Sequence, residues 1–84
     1  MWFIYILQCS DTTFYTGITS NLERRIREHN KSKSVGAKYT RARRPAILVY
    51  KEECENRAQA GRREREIKRI SRKEKEKLVL GASL

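Results

Sequence analysis

An α+β fold with the element order β-β-α-β-α-α is the architecture that this sequence predicts. Two apolar, aromatic-rich segments near the amino end surround a short polar turn, which is the pattern of a β-hairpin. A third apolar segment follows a proline in mid-chain, and three other stretches each begin with a helix-capping signature. A chain of 84 residues is long enough for one domain with one modest core.

The strands are predicted at residues 2–9, 14–18 and 46–50. The first two are rich in β-branched and aromatic side chains, and the polar segment 10–13 separates them as a turn. The third begins directly after Pro45 and is flanked by turn-forming and charged residues. All three segments are short enough to be strands and too short for typical helices.

The helices are predicted over about residues 20–30, 56–69 and 71–81. Each begins with a small polar residue followed three positions later by glutamate or glutamine, the form of a capping box. The three pairs are Ser20 with Glu23, Asn56 with Gln59, and Ser71 with Glu74. Residues 1–80 are therefore expected to form a single domain, with 81–84 as a short tail.

Charge dominates the composition. Lys and Arg number 20 against 10 Asp and Glu, which gives a net charge of +10 and a pI near 10.1. This balance favours a polyanionic partner, either nucleic acid or an anionic membrane surface. The alternative is a highly charged surface that serves only solubility.

No apolar run approaches the roughly 20 residues of a membrane span. The amino end has no basic leader and no small-residue cleavage site, so it does not match a signal peptide. Cys9 and Cys54 lack the spacing of a zinc site or a disulfide framework. We therefore expect free thiols and a cytoplasmic location.

One carboxylate stands out on the second predicted helix. Ala60, Glu64 and Ile67 share a helical face, and burying a carboxylate there without a partner would be costly. Glu64 is a candidate ligand for a divalent metal, because Mg²⁺ commonly uses one or two carboxylates with water and phosphate oxygens. The alternative is a surface ion pair with Lys68, one turn further on. Glu66 is a poorer candidate because it falls on the more polar flank.

The first predicted helix carries a second candidate group. Leu22, Ile26 and His29 form its core-facing stripe, and Arg25 lies at the margin of that stripe. A guanidinium there could hold a phosphate and stabilise charge in a transition state. His29 could donate to a phosphate oxygen or hold a hydroxyl. The alternatives are a solvated arginine and a hydrogen-bonded histidine at a helix end.

Two tyrosines and a basic loop complete the candidate set. A hairpin could bring the phenols of Tyr5 and Tyr15 together, and either could act as a base if cations or a metal lowered its pKa. Packing in the core is the alternative. The predicted loop 31–44 suits a surface that follows a phosphate backbone, with Tyr39 as a stacking ring. Its six cations are Lys31, Lys33, Lys38, Arg41, Arg43 and Arg44. A flexible charged loop is equally compatible with this pattern.

Taken together, these motifs resemble the GIY-YIG nuclease superfamily, most nearly its stand-alone, single-domain subgroup of small bacterial and archaeal proteins. The resemblance runs from about Trp2 to Val79. Its two signatures correspond to Phe3-Ile4-Tyr5 and Tyr15-Thr16-Gly17, followed by Leu22-Glu23-Arg24-Arg25, Glu28-His29-Asn30, Ala37-Lys38-Tyr39-Thr40-Arg41, Arg43-Arg44-Pro45, Arg63-Glu64 and Ile67-Lys68. Phe3 and Thr16 depart from the glycine and isoleucine of the family name, whereas both tyrosines and Gly17 are present.

The resemblance implies a three-stranded antiparallel sheet flanked by helices and one divalent ion, Mg²⁺ or Mn²⁺, held by Glu64. Lys68 would help to hold Glu64 or the phosphate. Arg25 would contact the scissile phosphate, and His29 would support the site by hydrogen bonding. The remaining pair, Tyr5 and Tyr15, would orient or activate the attacking water, with the identity of the base left open.

The implied function is a metal-dependent endonuclease that hydrolyses phosphodiester bonds in DNA. Structure selectivity and a role in DNA repair or recombination are further expectations. Larger family members carry an extra binding domain, so specificity here would come from the basic loop, a protein partner or assembly. Two alternatives stay open: a non-catalytic module that binds DNA or RNA, and an interaction protein at an anionic membrane or on ribosomal RNA.

Overall fold

The computed structural model describes residues 1–31 and 37–81. Its elements are β1 (Trp2–Gln8), β2 (Phe14–Thr19), α1 (Leu22–Lys31), α2 (Lys38–Arg41), β3 (Ile47–Cys54), α3 (Arg57–Arg69) and α4 (Arg72–Leu80). The predicted order is confirmed, and the four-residue helix α2 is added within the predicted loop 31–44. Residues 32–36 of that loop, including Lys33, and 82–84 of the predicted tail lie outside the described residues. No helix in the described ranges is long and apolar enough to cross a membrane.

The three strands form one antiparallel sheet in the order β2-β1-β3, as the resemblance implied. The central strand β1 places Tyr5 opposite Gly17 of β2 on one side and Lys51 of β3 on the other. The third strand continues four residues past the predicted end at residue 50. Glu52 is half-buried there and Cys54 is buried, so the charged residues belong to the strand and do not flank it.

Alternate residues of β1 supply two hydrophobic clusters on opposite faces of the sheet. On one face, Tyr5 and Leu7 are buried, and Leu22 and Ile26 of α1 pack against their cluster. The other face carries a buried cluster with α3, whose members are Ile4, Ile6, Cys54, Ala60 and Ile67. The sheet is therefore enclosed between α1 and α3, and each fully buried isoleucine or leucine contributes roughly 1.5–3 kcal/mol through burial.

The helix ends follow the predicted capping chemistry, with one correction. The cap of α1 is Asn21, whose side chain accepts a hydrogen bond from the backbone N–H of Arg24 at 3.0 Å. The prediction that Ser20 caps this helix was wrong by one residue, because α1 begins at residue 22. The other two caps are confirmed, since Asn56 and Ser71 each accept from a backbone N–H three residues later.

Candidate active site

Tyr5 lies at the centre of the candidate site. Its ring is 1% exposed and extends from the middle of β1 across Gly17 on the neighbouring strand. A Cβ added to Gly17 would lie 2.6 Å from Cζ, the ring carbon that bears the Tyr5 hydroxyl. Only glycine leaves room for the phenol in this position, so the Gly17 of the second signature has a steric role.

A buried run of hydrogen bonds leads from Tyr5 to the middle loop. The Tyr5 hydroxyl lies 2.8 Å from Nε2 of His29, and Nδ1 of the same ring lies 2.7 Å from Oγ1 of Thr40. The Thr40 hydroxyl donates to the backbone carbonyl of Ala37 at 3.0 Å. Both His29 and Thr40 are fully buried, so this run is shielded from water.

The direction of these hydrogen bonds follows from counting protons. The Thr40 hydroxyl has one proton, which it donates to Ala37, so Oγ1 accepts from the N–H at Nδ1 of His29. A neutral imidazole carries one N–H, so its Nε2 accepts a proton from the Tyr5 hydroxyl. The packing therefore selects one tautomer of His29 and one orientation of the phenol.

Arg25 begins the run at its solvent side. Its guanidinium donates a hydrogen bond to the carboxylate of Glu28 at 3.0 Å, and it lies close enough to the Tyr5 oxygen to oppose the rise in the pKa of that phenol. The arginine is half-buried. We call the residues Arg25, Tyr5, His29 and Thr40 the buried chain. From Tyr5 onward each member donates to the next, an arrangement in which hydrogen bonds polarise one another.

Burial keeps the two titratable members of the chain neutral at pH 7. Desolvation, aided by the charge of Arg25, lowers the pKa of His29 to about 4. Desolvation raises the pKa of Tyr5 to about 12, although the nearby guanidinium of Arg25 acts in the opposite direction. Neighbouring cations therefore do not lower the pKa of Tyr5, because burial outweighs them.

Tyr15 lies beside the chain but is only half-buried. Its ring meets that of His29 edge-on with centroids 5.1 Å apart, and it stacks on Tyr39 with centroids 6.0 Å apart. The guanidinium of Arg43 lies 3.9 Å from the centroid of the Tyr39 ring. The predicted stacking ring of the middle loop is thus already engaged by a tyrosine and an arginine of the same chain.

Glu64 approaches the same phenol from α3. Its side chain is 22% exposed, and its negative charge is near enough to raise the pKa of Tyr5. Lys68, with a side chain that is 53% exposed, forms an ion pair with it at 3.2 Å. The predicted ion pair is therefore present, beside a carboxylate that solvent can reach.

The donor set at Glu64 fits a magnesium-type ion completed by water and substrate. Within residues 1–31 and 37–81, no group of three or more His, Cys, Asp or Glu residues could hold a metal ion. A protein cage is excluded for that part of the chain, whereas Mg²⁺ requires only one or two carboxylates when phosphate oxygens complete its shell. Glu64 is the residue that would hold it.

Comparison with known proteins shows the family of this chain. Residues 1–77 match the model of the GIY-YIG catalytic domain. The chain belongs to the GIY-YIG family. A UPF0213 protein of Desulfotalea psychrophila is 56% identical over 78 residues, which cover 93% of this chain and 70% of that protein. A UPF0213 protein of Staphylococcus haemolyticus is 49% identical and covers 92% of each chain.

Solved structures support the same assignment. The solution NMR structure of the UPF0213 protein BH0048 from Bacillus halodurans matches with a TM-score of 0.59 and 44% identity, over 94% of this chain and 83% of that one. That of EF2693 from E. faecalis matches with a TM-score of 0.60 and 43% identity, over 89% and 78%. The GIY-YIG family is of nuclease type, and the sheet and helix order found here agree with these structures.

The basic loop of this GIY-YIG domain is partly folded back on the protein. Arg43 forms an ion pair with Asp11 at 2.9 Å. Arg44 donates to the carbonyl of His29 at 2.6 Å, which satisfies an acceptor near the C-terminal end of α1. Lys38 and Arg41 are exposed on α2. Arg43 and Arg44 therefore have intramolecular contacts, as Tyr39 and Lys68 do, and the role of the predicted residues in DNA binding stays a prediction.

Sequence reasoning missed two polar groups. Thr40 was included only within a motif, and no periodic pattern could show that it completes the buried chain. The second is a cluster in which Arg63 of α3 donates to Glu52 of β3, from Nε to both carboxylate oxygens at 3.0 and 3.1 Å and from Nη2 at 3.0 Å, while Tyr50 donates to the same carboxylate. The alternation of Tyr50, Glu52 and Cys54 was the signal that could have extended the strand and revealed this contact.

Proposed function

We propose that this GIY-YIG protein is a divalent-metal-dependent endonuclease that hydrolyses phosphodiester bonds in DNA. One observation carries the proposal: the buried chain holds a guanidinium at the same phenol that the charge of Glu64 reaches. An arginine and a carboxylate whose charges both act on one phenol suit a phosphate with its metal ion. Neither the polar core around His29 nor the steric role of Gly17 is needed merely to bind a polyanion.

In this proposal Arg25 binds the scissile phosphate. The hydrogen bond to Glu28 and the neighbouring Tyr5 hydroxyl orient the guanidinium before substrate arrives, so little reorganisation is needed as charge develops on the phosphate oxygens. His29 and Thr40 act as positioning residues, because they fix the hydroxyl beside Arg25. The low pKa of His29 keeps its acceptor nitrogen available throughout the neutral range.

The two tyrosines differ in exposure, and we assign them different roles. The Tyr5 oxygen is enclosed between His29 and Arg25, whereas Tyr15 is half-buried at the border of the same cluster. We assign to Tyr15 the role of orienting the attacking water, whose oxygen bonds to phosphorus as the bond to the leaving oxygen breaks. Tyr5 then has a different role, which is to hold Arg25 and His29 in position.

Glu64 would hold the metal ion, and Lys68 would keep the carboxylate oriented through their ion pair. When bound, a divalent cation neutralises charge on the phosphate and on the leaving oxygen. The half-exposed carboxylate leaves room for the phosphate and water oxygens that Mg²⁺ or Mn²⁺ requires. Structure selectivity, a role in DNA repair or recombination, and a protein partner stay predictions.

A non-catalytic module that binds DNA or RNA is the second candidate. Two observations favour it: Lys68 already neutralises Glu64, and the described residues lack a cluster of three metal-ligating side chains. Binding alone requires the net charge of +10 but does not require the carboxylate of Glu64. Loss of Glu64 therefore distinguishes the two functions.

The test is cleavage of labelled single-stranded, duplex, flap and branched DNAs with Mg²⁺, with Mn²⁺ and with a chelator. Wild-type protein should be assayed beside Glu64→Ala. Cutting that needs both the metal and Glu64 supports the nuclease and shows which DNA shape it prefers. Binding without cutting on every substrate contradicts the nuclease and favours the binding module.

A further inference from the structure

A basic groove runs between α3 and the edge strand β2. Ile18 of β2 lies on one side, and Gly61 and Glu64 of α3 lie on the other. Three arginines of α3 complete the lining, namely Arg57, Arg62 and Arg65. We call this feature the α3 groove. None of its arginines was assigned a function from the sequence.

The groove arginines differ from their neighbour Arg63. Arg63 is held by the carboxylates of Glu52 and Glu66. In the described part of the chain, Arg62 and Arg65 form no ion pair with a carboxylate, and both are exposed. Their charges are therefore available to an external anion at the groove that contains Glu64.

Gly61 gives the groove its open floor. A Cβ added there would meet only Nη1 of Arg65, at 3.8 Å, which is an ordinary contact. No described glycine has a positive φ, so the backbone does not require glycine at this position. Glycine in a helix interior is less stable than alanine. A residue that costs stability, and that packing does not require, points to a use of the space it leaves.

We propose that the α3 groove binds the sugar-phosphate backbone of the DNA strand beside the scissile phosphate. This inference rests on the proposed function, because Glu64 marks where the cut would occur. With a rise of 1.5 Å per residue, Arg57 to Arg65 spans about 12 Å along α3. That length corresponds to about three or four nucleotides of one duplex strand at 3.4 Å each. Free guanidinium groups suit phosphate oxygens.

Binding measured with chelator present tests the groove without any cleavage. Fluorescence anisotropy of a labelled duplex, titrated over a range of salt concentrations, should compare wild type with Arg62→Gln/Arg65→Gln. The control is Arg69→Gln/Lys73→Gln, which removes the same charge from exposed positions outside the groove. We expect the groove variant to bind at least about tenfold more weakly. Its slope of log K against log salt should fall by about 1.8, and the control should change much less.

A second pair of variants changes the space in the α3 groove without changing its charge. Gly61→Ala and Gly61→Leu keep every charge and replace glycine with good helix formers, so thermal stability should be unchanged or higher. DNA affinity should fall with side-chain size, with the leucine variant the weaker binder. Wild-type affinity in Gly61→Leu, or equal losses in the two double-charge variants, would overturn the groove.

Failure of the groove and failure of the nuclease give different results. If the groove variants lose DNA affinity but wild type never cleaves with metal, the proposed DNA-binding groove is supported and the proposed nuclease function is contradicted. If wild type cleaves DNA and the groove variants bind it as tightly as wild type does, only the proposed groove is contradicted.

Discussion

The two sides of the candidate site are built in opposite ways. On the α1 side, Tyr5, His29 and Thr40 are fully buried, and their side chains are joined by hydrogen bonds. On the α3 side, the Glu64 side chain is 22% exposed and forms an ion pair with Lys68 at the surface. The first side is organised before substrate arrives, and the second is open to it.

This difference indicates what each side can do. A buried chain fixes an arginine precisely enough for transition-state stabilisation but offers no room for a ligand. An open carboxylate can exchange water, cation and phosphate but positions none of them alone. The proposed hydrolysis of phosphodiester bonds needs both properties, and α1 and α3, packed on the two faces of the sheet, would supply one each.

The largest expected effect comes from a substitution of Glu64, on the α3 side of the candidate site. Glu64→Gln should lower the cleavage rate by about 10³-fold or more, because it removes the charge that would hold the metal. DNA affinity in chelator should stay within about twofold. The matched control is Glu66→Gln, two residues further along α3 and 65% exposed. Equal rates in wild type and Glu64→Gln, measured by single-turnover cleavage, would remove Glu64 from the mechanism.

The buried side should make stability depend on pH through His29, the one histidine of the chain. Its pKa falls from 6.5 to about 4 on folding, so the unfolded state binds the proton more tightly. The contribution is absent above pH 6.5, and stability is lost as the pH falls from 6.5 to 4, by about 3 kcal/mol.

Urea unfolding at pH 7, 6 and 5 checks this sign. His29→Gln should have a flatter profile than wild type across that window. The carboxylates of Asp11 and Glu52, whose pKa values are lowered, are present in both proteins and cancel in the comparison. Parallel profiles would show that His29 is not buried as a neutral group.

Thr40→Val tests the far end of the buried chain. Valine cannot accept from Nδ1 of His29, and an unsatisfied buried N–H costs about 1–3 kcal/mol. We expect lower stability, a slower maximum cleavage rate and unchanged DNA affinity, with Thr40→Ser restoring all but a small part. Nitrogen NMR of the single histidine should report the proton on Nδ1 in wild type. A proton on Nε2 instead would reverse the proposed direction of the chain.

The smallest expected effects come from substitutions at two arginines of the predicted loop, Arg44 and Arg41. Arg44→Gln should lower the free energy of unfolding by about 1–2 kcal/mol, because the guanidinium satisfies carbonyls of α1. Its salt dependence of DNA binding should stay unchanged. Arg41→Gln, at an exposed position of α2, should lower the salt slope by about 0.9. Denaturant titration and salt-dependent binding give both values, and the opposite assignment would mean that Arg44 faces DNA.

Local patterns predicted most of the fold. Strand alternation and capping pairs depend on residues a few positions apart, so β1, β2, α3 and α4 could be predicted with nearly correct limits. The end of β3 was missed because its charged residues resembled a flanking segment. They remain in the strand because Glu52 meets Arg63 of α3, a contact between residues 11 positions apart.

The candidate site was less accessible to sequence reasoning. Tyr5 and His29 were identified, but their hydrogen bond joins residues 24 positions apart and has no local signature. A run of cations also looks the same whether it faces solvent or, as with Arg43 and Arg44, folds back onto the protein. The rise in the pKa of Tyr5 depends on burial, which only the folded structure supplies.

The most direct test of the difference between the α1 side and the α3 side of the site is the single-turnover cleavage rate as a function of Mg²⁺ concentration. It should be measured for wild type, Glu64→Asp and Tyr5→Phe. We expect Glu64→Asp to shift the curve to higher Mg²⁺, because it changes the group that would hold the ion. Tyr5→Phe should lower the maximum rate with the midpoint unchanged, because it removes the hydroxyl beside Arg25 and the donor to His29 but leaves Glu64 in place. No Mg²⁺-dependent cleavage by wild type, or a midpoint that shifts in Tyr5→Phe and not in Glu64→Asp, would contradict this account.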